Sequence, residues 1–183
     1  MTAIELNILQ SIQEWRVPWL DRLMVGISFV GNAGWIWIAL AVACLFFPKK
    51  RKLGITIGVA LLLSLIMVNW TIKPLVSRAR PFTYYENFRL LIPIPAETSF
   101  PSGHASSSFA AATACFIGDK KLGSFALILA VLIAFSRLYL FVHFPSDVLA
   151  GVLFGVLWAL LAHVIVKAVS DRLVKLKRPA KLS

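Results

Sequence analysis

Apolar residues fall into five long runs along this chain, and short polar or basic segments separate the runs. Runs of about 20 apolar residues are typical of helices that cross a membrane. The third run covers about 14 residues and rises roughly 21 Å, which is less than the ~30 Å of a hydrocarbon core. The pattern predicts an all-α, polytopic membrane helix bundle of five to six membrane helices, in a single membrane-embedded domain over residues 1–183. The predicted helices cover residues 20–47, 53–72, 104–117, 122–135 or one turn further, and 147–169.

The amino-terminal residues 2–17 predict an amphipathic interfacial helix, because they are too short to span a bilayer. Thr2 and Glu5 fit a capping box at its start, and Pro18 is expected to end it. The first long run contains Gly31 to Gly34 near its middle, and the sequence leaves open whether this stretch bends or divides the helix. The expected apolar face of the interfacial helix consists of Ile4, Ile8, Ile12 and Trp15.

Composition indicates a membrane protein and excludes other classes. The 183 residues are 59% hydrophobic and only 15% charged, with a mean hydropathy of +0.82. A soluble domain could not bury that much apolar surface, and a disordered chain would not carry it. The formal net charge is +11, which a nucleic-acid partner would explain, but such a partner would not explain the apolar content. The expected partner is therefore the lipid bilayer, with no nucleic acid and no obligate protein partner.

The distribution of Lys and Arg predicts how the helices are oriented. With five spans, one side holds four cations in residues 48–52, two in 118–121 and six from Lys167 onward. Cytoplasmic segments carry an excess of Lys and Arg, so this side is expected to face the cytoplasm, including a basic tail over 170–183. The chain is thus predicted to be a multi-pass protein of the cell membrane. Seven cations remain for the outer or periplasmic side: Arg16, Arg22, Lys73, Arg78, Arg80, Arg89 and Arg137.

Three polar clusters lie on the predicted outer side, at residues 73–81, 101–104 and 136–147. Together they suit a phosphoryl group. Ser102 can cap the third long helix, so that Gly103 and His104 place backbone N–H groups and a positive helix end at one point. Gly103 would also let the backbone approach a ligand closely. Cations whose donors suit phosphate oxygens lie in the other two clusters: Lys73, Arg80 and Arg137.

Two histidines and a carboxylate supply groups that could react. Pro145 favours a loop at His143 and a helix that begins near Asp147. The carboxylate can accept from one imidazole nitrogen and leave the other nitrogen as a nucleophile. His104 is suited to protonating a leaving oxygen. The sequence shows no carboxylate cluster for magnesium, and we expect neither a metal nor a cofactor, since the cations would neutralise the phosphate charge.

These clusters resemble the signature of the type 2 phosphatidic acid phosphatases. That signature consists of Lys, six residues and Arg-Pro; then Pro-Ser-Gly-His; then Ser-Arg, five residues, His, three residues and Asp. All three motifs match without gaps, at 73–81, 101–104 and 136–147, and the resemblance covers about residues 50–170. It implies a phosphohistidine intermediate at His143, with His104 as the acid. It also implies phosphate contacts from Lys73, Arg80, Ser102, Gly103, His104 and Arg137.

The predicted outer position of the clusters and the lack of a carboxylate cluster lead us to expect a metal-independent lipid phosphatase active on the outer leaflet. The resemblance is to short bacterial members of the family, and it implies the substrates. Undecaprenyl diphosphate, giving undecaprenyl phosphate, is the first substrate expected. Phosphatidylglycerophosphate or phosphatidic acid is the alternative, and composition does not separate them. A non-catalytic lipid-phosphate binder or transporter would also explain the outer cations, but it would not need His143 coupled to Asp147. Residues 73–103 are expected to form an outer loop that carries some of the site residues, in which Glu97 is more typical of a solvated charge.

Overall fold

The computed structural model describes residues 2–177, which form α-helices joined by short 3₁₀ and π-helical segments, without strands. The predicted all-α class is therefore confirmed. The basic tail predicted over 170–183 lies partly in the last helix, and residues 178–183 lie outside the described residues. The α-helices are α1 (Thr2–Gln13), α2 (Pro18–Val30), α3 (Trp35–Phe46), α4 (Arg51–Ser64), α5 (Lys73–Val76), α6 (Gly103–Gly118), α7 (Lys120–Tyr139) and α8 (Pro145–Lys177).

The first long apolar run forms two helices rather than one. α2 and α3 are bent by 45° relative to each other. Between them, Ala33 and Gly34 adopt left-handed backbone with φ of 48° and 70°. Left-handed residues cannot continue a right-handed helix, and residues other than glycine rarely adopt this conformation. The stretch from Gly31 to Gly34 therefore divides the run, and it directs the side chain of Asn32 toward α6.

The second run is continuous but changes its winding. α4 passes into a π-helix over Leu65–Ile72, which leads directly into α5. π-helical turns are rare and are found frequently at functional sites. Ser77 ends α5 in left-handed backbone, with its N–H donating to the carbonyl of Lys73 at 2.9 Å. Beyond it the chain is irregular up to α6, apart from a 3₁₀ turn at Pro81–Tyr84.

α6 forms the centre of the bundle and packs against α4, α7 and α8. Two glycines let α8 approach it closely. A Cβ on Gly151 would lie 2.6 Å from the carbonyl oxygen of Ser102, and a Cβ on Gly155 would lie 2.5 Å from that of Ser106. The first turn of α8 is thereby held beside the first turn of α6. The buried side of α6 is made of small residues, which include Ala105, Ala110, Ala111, Ala112, Ala114 and Cys115.

The predicted count of five to six membrane helices is not confirmed over residues 2–177. Three helical stretches are long and apolar enough to cross a membrane: Pro48–Tyr84, Lys120–Tyr139 and Pro145–Leu176. The bent pair of α2 and α3 makes a fourth if it counts as one span. α6 has 16 residues and rises roughly 24 Å, which is shorter than a ~30 Å hydrocarbon core.

α1 packs differently from the prediction. Glu5, Leu9 and Ile12 face the protein and are buried, whereas Ile4 and Ile8 are 66% and 45% exposed. The expected single apolar face is therefore wrong, because α1 has one apolar side on the protein and another directed outward. Glu5 does not complete the expected capping box, because its carboxylate bonds to groups outside α1.

Candidate active site

The start of α6 has the geometry expected of an anion-binding helix end. Ser102 is its N-cap, and the Oγ atom accepts a hydrogen bond from the Ala105 N–H at 3.4 Å. The N–H groups of Gly103 and His104 belong to the first turn, where the helix dipole is positive. The Ser102 N–H donates to the carbonyl of Asp147 at 3.0 Å, which joins the start of α6 to the start of α8.

The His104 imidazole lies against the break between α2 and α3. Its Nε2 is 2.9 Å from Asn32 Oδ1, and since an amide oxygen can only accept, Nε2 carries the proton. Gly31 leaves room for the ring, because a Cβ there would lie 3.2 Å from His104 Cδ2. The broken helix thus supplies a partner for the expected acid, a role that the sequence did not indicate.

His143 lies in the turn after α7, and Asp147 lies in the first turn of α8, both as expected. Asp147 Oδ2 is 3.7 Å from His143 Nδ1, longer than a hydrogen bond; catalytic contacts often tighten when substrate binds. The same oxygen accepts from the Phe144 N–H at 2.8 Å and from Ser99 Oγ at 2.5 Å. Asp147 Oδ1 accepts from Arg78 Nη1 at 2.7 Å. These donors hold the carboxylate beside the imidazole.

Arg80 sets the tautomer of His143. Its Nη1 lies 3.3 Å from His143 Nε2 and also donates to the carbonyl of Val142 at 2.7 Å. A guanidinium has only donors, so Nε2 accepts and the proton resides on Nδ1, facing Asp147. Burial lowers the pKa of His143 to about 3; Asp147 opposes that shift, and the charges of Arg80 and Arg137 reinforce it. The imidazole is therefore neutral near pH 7.

The other two predicted cations are buried nearby. Lys73 is 5% exposed and forms an ion pair with Glu97. Glu97, which was expected to be a solvated loop charge, therefore contacts this cluster. Arg137 is 3% exposed, and its Nη1 donates to Ser28 of α2. Its Nε is buried without a hydrogen-bond partner among residues 2–177. The three sequence clusters therefore converge in space.

A cavity of about 690 Å³ opens beside these cations. Lys73 and His104 line this cavity, and so do Leu61 and Leu65, which precede Lys73 by two to three helical turns. His143 does not line this cavity and is 2% exposed. A ligand that reaches His143 Nε2 must therefore displace the side chains that cover it, of which Arg80 is in direct contact.

Ser99 is a buried residue of the site that the sequence did not reveal. It is 0% exposed, and its Oγ lies 3.5 Å from His143 Nδ1 as well as bonding to Asp147. Its N–H donates to the carbonyl of Arg78 at 2.8 Å. A serine in an irregular loop carries no signal of its own, and only its closeness to Pro101 in the sequence could have indicated it.

The charged groups that converge here suit an anion. Among residues 2–177, no group of three or more His, Cys, Asp or Glu side chains could hold a metal ion. Lys73, Arg80 and Arg137, together with the amino terminus of α6, supply donors and positive charge that suit phosphate oxygens.

The PAP2 superfamily matches residues 52–171, the stretch that contains all three clusters. The chain belongs to this superfamily. The resemblance to the type 2 phosphatidic acid phosphatases is thereby confirmed. The protein is a hydrolase that acts on phosphate esters of lipids, with apolar helices suited to a membrane.

Three similar proteins illustrate the range of the family. The chain is 35% identical over 154 residues to undecaprenyl-diphosphatase of Sulfolobus acidocaldarius, which covers 84% of this chain and 74% of that protein. It is 30% identical over 180 residues to phosphatidylglycerophosphatase B of Bacillus subtilis, which covers 85% of this chain and 83% of the relative. The crystal structure of Aquifex aeolicus LpxE has a TM-score of 0.75 at 29% identity, covering 86% of this chain and 93% of that one.

Proposed function

We propose that this lipid phosphatase converts undecaprenyl diphosphate to undecaprenyl phosphate through a phosphohistidine intermediate at His143, without a metal. The similarity to an undecaprenyl-diphosphatase supports this choice of lipid. Phosphatidylglycerophosphate is the second candidate, because a phosphatidylglycerophosphatase aligns over a similar share of the chain. Phosphatidic acid is a further alternative with the same phosphomonoester chemistry.

The mechanism rests on the contact between Arg80 Nη1 and His143 Nε2, because it indicates a lone pair on Nε2. The imidazole is neutral, and its proton lies on Nδ1 between the ring and Asp147. A neutral imidazole in this tautomer is a nucleophile, and a carboxylate beside Nδ1 stabilises the positive charge that forms when Nε2 reacts.

The reaction proceeds in two balanced steps. In the first, His143 Nε2 attacks phosphorus, the P–O bond to the leaving group breaks, and His104 donates a proton to the leaving oxygen. The bound phosphoryl group favours the protonated form of His104, as a nearby opposite charge does. In the second, water attacks phosphorus and gives its proton to His104, while the P–N bond breaks. Inorganic phosphate leaves, and His143 is restored.

The cations bind the phosphoryl oxygens in this scheme. Arg80 would exchange its contact with His143 Nε2 for a phosphate oxygen, which frees the lone pair for attack. Arg137 offers a buried Nε–H without a partner in residues 2–177, and Lys73 reaches the same space at the edge of the cavity. Two backbone N–H groups at the start of α6 add further donors, those of Gly103 and His104, with Ser102 holding that turn.

The same arrangement supports an active site on the outer side of the cell membrane. Lys50 Nζ lies 3.1 Å from Asp119 Oδ2, so the two basic loops at 48–52 and 118–121 share one end of the bundle. The proposed site lies at the other ends of the helices that these loops join. Basic loops favour the cytoplasm, and the site then faces outward. The part of the cavity lined by Leu61 and Leu65 would hold the first segment of the lipid tail.

Phosphate release from a lipid panel tests the proposal. The full-length protein in detergent would be given undecaprenyl diphosphate, phosphatidylglycerophosphate or phosphatidic acid, with and without EDTA. We expect release that EDTA does not change, and a loss of at least about 100-fold for His143→Ala and for His104→Ala. His163→Ala, which removes a histidine far along α8, serves as the matched control and should retain activity.

Each element of the proposal has an outcome that contradicts it. Full release by His143→Ala overturns the mechanism, and loss of release in EDTA overturns metal independence. A higher kcat/KM on phosphatidylglycerophosphate reassigns the substrate. Rapid quenching with phosphorus-labelled substrate should give labelled protein that is stable in alkali and labile in acid, and His143→Ala should give none.

A further inference from the structure

Glu5 in α1 is a buried carboxylate that the reaction scheme does not use. It is 8% exposed, and both of its oxygens bond to groups outside α1. Oε1 accepts from the Ser146 N–H at 2.9 Å, and Oε2 accepts from Arg78 Nη2 at 2.7 Å. Ser146 lies in the first turn of α8, where a carboxylate is stabilised by free N–H groups and the helix dipole. Glu5 therefore connects α1 to the turn that carries Asp147.

Arg78 connects Glu5 directly to Asp147. Its Nη1 donates to Asp147 Oδ1 and to Ser146 Oγ, both at 2.7 Å. The guanidinium also lies over the ring of Phe144, 4.0 Å from the ring centre. A planar guanidinium has a rigid set of donors, so it holds two carboxylates in one fixed arrangement. Contacts to Glu5, Ser146, Asp147 and Phe144 thus leave the Arg78 head group little freedom.

The charges of Glu5, Arg78 and Asp147 affect how well a positive charge on His143 is stabilised. Its imidazole becomes positive when Nε2 bonds to phosphorus, and Asp147 stabilises that charge. Arg78 partly neutralises Asp147, while Glu5 offsets Arg78, so the three groups together retain one negative charge. We propose that Glu5 is a positioning residue that acts through Arg78: it fixes Asp147 and leaves its charge available to His143. This inference rests on the proposed function of His143.

Packing alone does not account for a carboxylate at this position. Leu9 and Ile12 already bury α1 against an apolar cluster that includes Tyr139 and Phe141. Burial alone raises the pKa of Glu5, but hydrogen bonds from Ser146 and the charge of Arg78 lower it below its usual value, so the carboxyl is ionised. A buried ion pair is often no more stabilising than apolar residues of similar size. The charge at Glu5 is therefore better explained by its effect on Asp147.

The variant Glu5→Gln separates the charge from the shape, because the amide oxygen can still accept from the Ser146 N–H. We would measure kcat and KM of full-length protein in detergent with the best substrate of the panel above. We expect kcat to fall about tenfold, or about 1.4 kcal/mol, near the lower end for a hydrogen bond between charged groups. KM should change less than about twofold, since Glu5 does not touch substrate. In an Arg78→Gln background, Glu5→Gln should reduce kcat no further.

Two control variants distinguish positioning from structural support. Glu14→Gln removes the same charge at an exposed position just after α1, and it should leave kcat unchanged. Leu9→Ala weakens the packing of α1 without changing charge, so it should lower the thermal unfolding midpoint and leave kcat within about twofold. The inference is overturned if Glu5→Gln keeps the wild-type kcat, or if Leu9→Ala lowers kcat as much as Glu5→Gln does.

A His143→Ala arm separates this inference from the proposed function. If His143→Ala retains activity, the proposed function fails and the role of Glu5 fails with it. If His143→Ala is inactive while Glu5→Gln matches the wild type, only the role of Glu5 is overturned. An inactive His143→Ala together with a kcat loss confined to Glu5→Gln and Arg78→Gln supports both.

Discussion

Ser99 offers a direct test of how Asp147 acts on His143. Its Oγ donates to Asp147 Oδ2 at 2.5 Å, the same oxygen that lies 3.7 Å from His143 Nδ1. Ser99→Ala removes one donor from that oxygen without adding charge or bulk at a fully buried position. The carboxylate is then less firmly oriented toward the imidazole that it has to stabilise.

The size of the effect follows from the donors that remain. A hydrogen bond to a charged group contributes roughly 1.5–3 kcal/mol. Asp147 keeps the Phe144 N–H on Oδ2 and Arg78 on Oδ1, so the carboxylate is not left unpaired and about 1.5–2 kcal/mol is expected. At about 1.4 kcal/mol per factor of ten, kcat should fall roughly 10- to 30-fold. KM should stay nearly constant, because Ser99 is not among the residues expected to touch phosphate.

Steady-state phosphate release in detergent measures kcat and KM. A thermal unfolding curve shows whether the variant remains folded. Ser124→Ala is the matched control, since that hydroxyl donates to Lys120 at the far end of α7 and should not affect kcat. The reasoning is refuted if Ser99→Ala keeps kcat within about twofold while His143→Ala is inactive. It is also refuted if Ser99→Ala changes KM alone, because that result would place Ser99 in substrate binding.

Three further predictions test other regions of the structure. Gly151→Ala should lower the free energy of unfolding by about 1–3 kcal/mol, since its methyl would lie 2.6 Å from the backbone oxygen of Ser102. Gly26→Ala is the control and should not lower it, because no atom lies within 4 Å of a Cβ at that position. Asn32→Ala should lower kcat about 3- to 10-fold at constant KM, through loss of one hydrogen bond to His104, and a wild-type kcat would contradict that role. Burial lowers the pKa of His143 to about 3, so the unfolded chain takes up a proton below about pH 6.5 and the folded chain does not. Thermal stability should therefore fall from pH 7 to pH 5, and it should fall less in His143→Asn.

The all-α class and the phosphatase family could be predicted from the sequence, because the apolar runs and the three motifs are local patterns. An apolar run inside a lipid bilayer forms a helix, because no water is present there to bond to its backbone N–H and C=O groups. The serine cap of α6 and the placement of His143 and Asp147 around Pro145 follow from residues within a few positions of one another. The complementarity of their side chains connects the three clusters in the sequence, and in the fold Arg80 contacts His143 while Ser102 contacts Asp147.

What the sequence could not show depends on partners that are distant along the chain. Glu5 lies on the inward face of α1 beside Leu9 and Ile12, and its partner Arg78 lies 73 positions later. Periodicity alone assigns a carboxylate to the solvent side, so it predicted the wrong face. The contact between Asn32 and His104 likewise needs a helix break whose angle no local rule specifies.

Arg80 and Arg137 differ from the other cations of the site, because no carboxylate among the described residues balances their charge. Lys73 pairs with one carboxylate and Arg78 with two. Within residues 2–177, Arg80 donates to backbone carbonyls and Arg137 to a serine hydroxyl, so neither has a carboxylate partner. A buried guanidinium with neutral acceptors retains much of its desolvation cost, and an anion offsets that cost. Arg80 Nη1 lies 3.3 Å from Nε2 of His143, the proposed nucleophile, so its uncompensated charge lies where a phosphoryl dianion would bind. The buried arginines thus favour a dianionic headgroup over a neutral one, since binding the dianion supplies the charge that they lack.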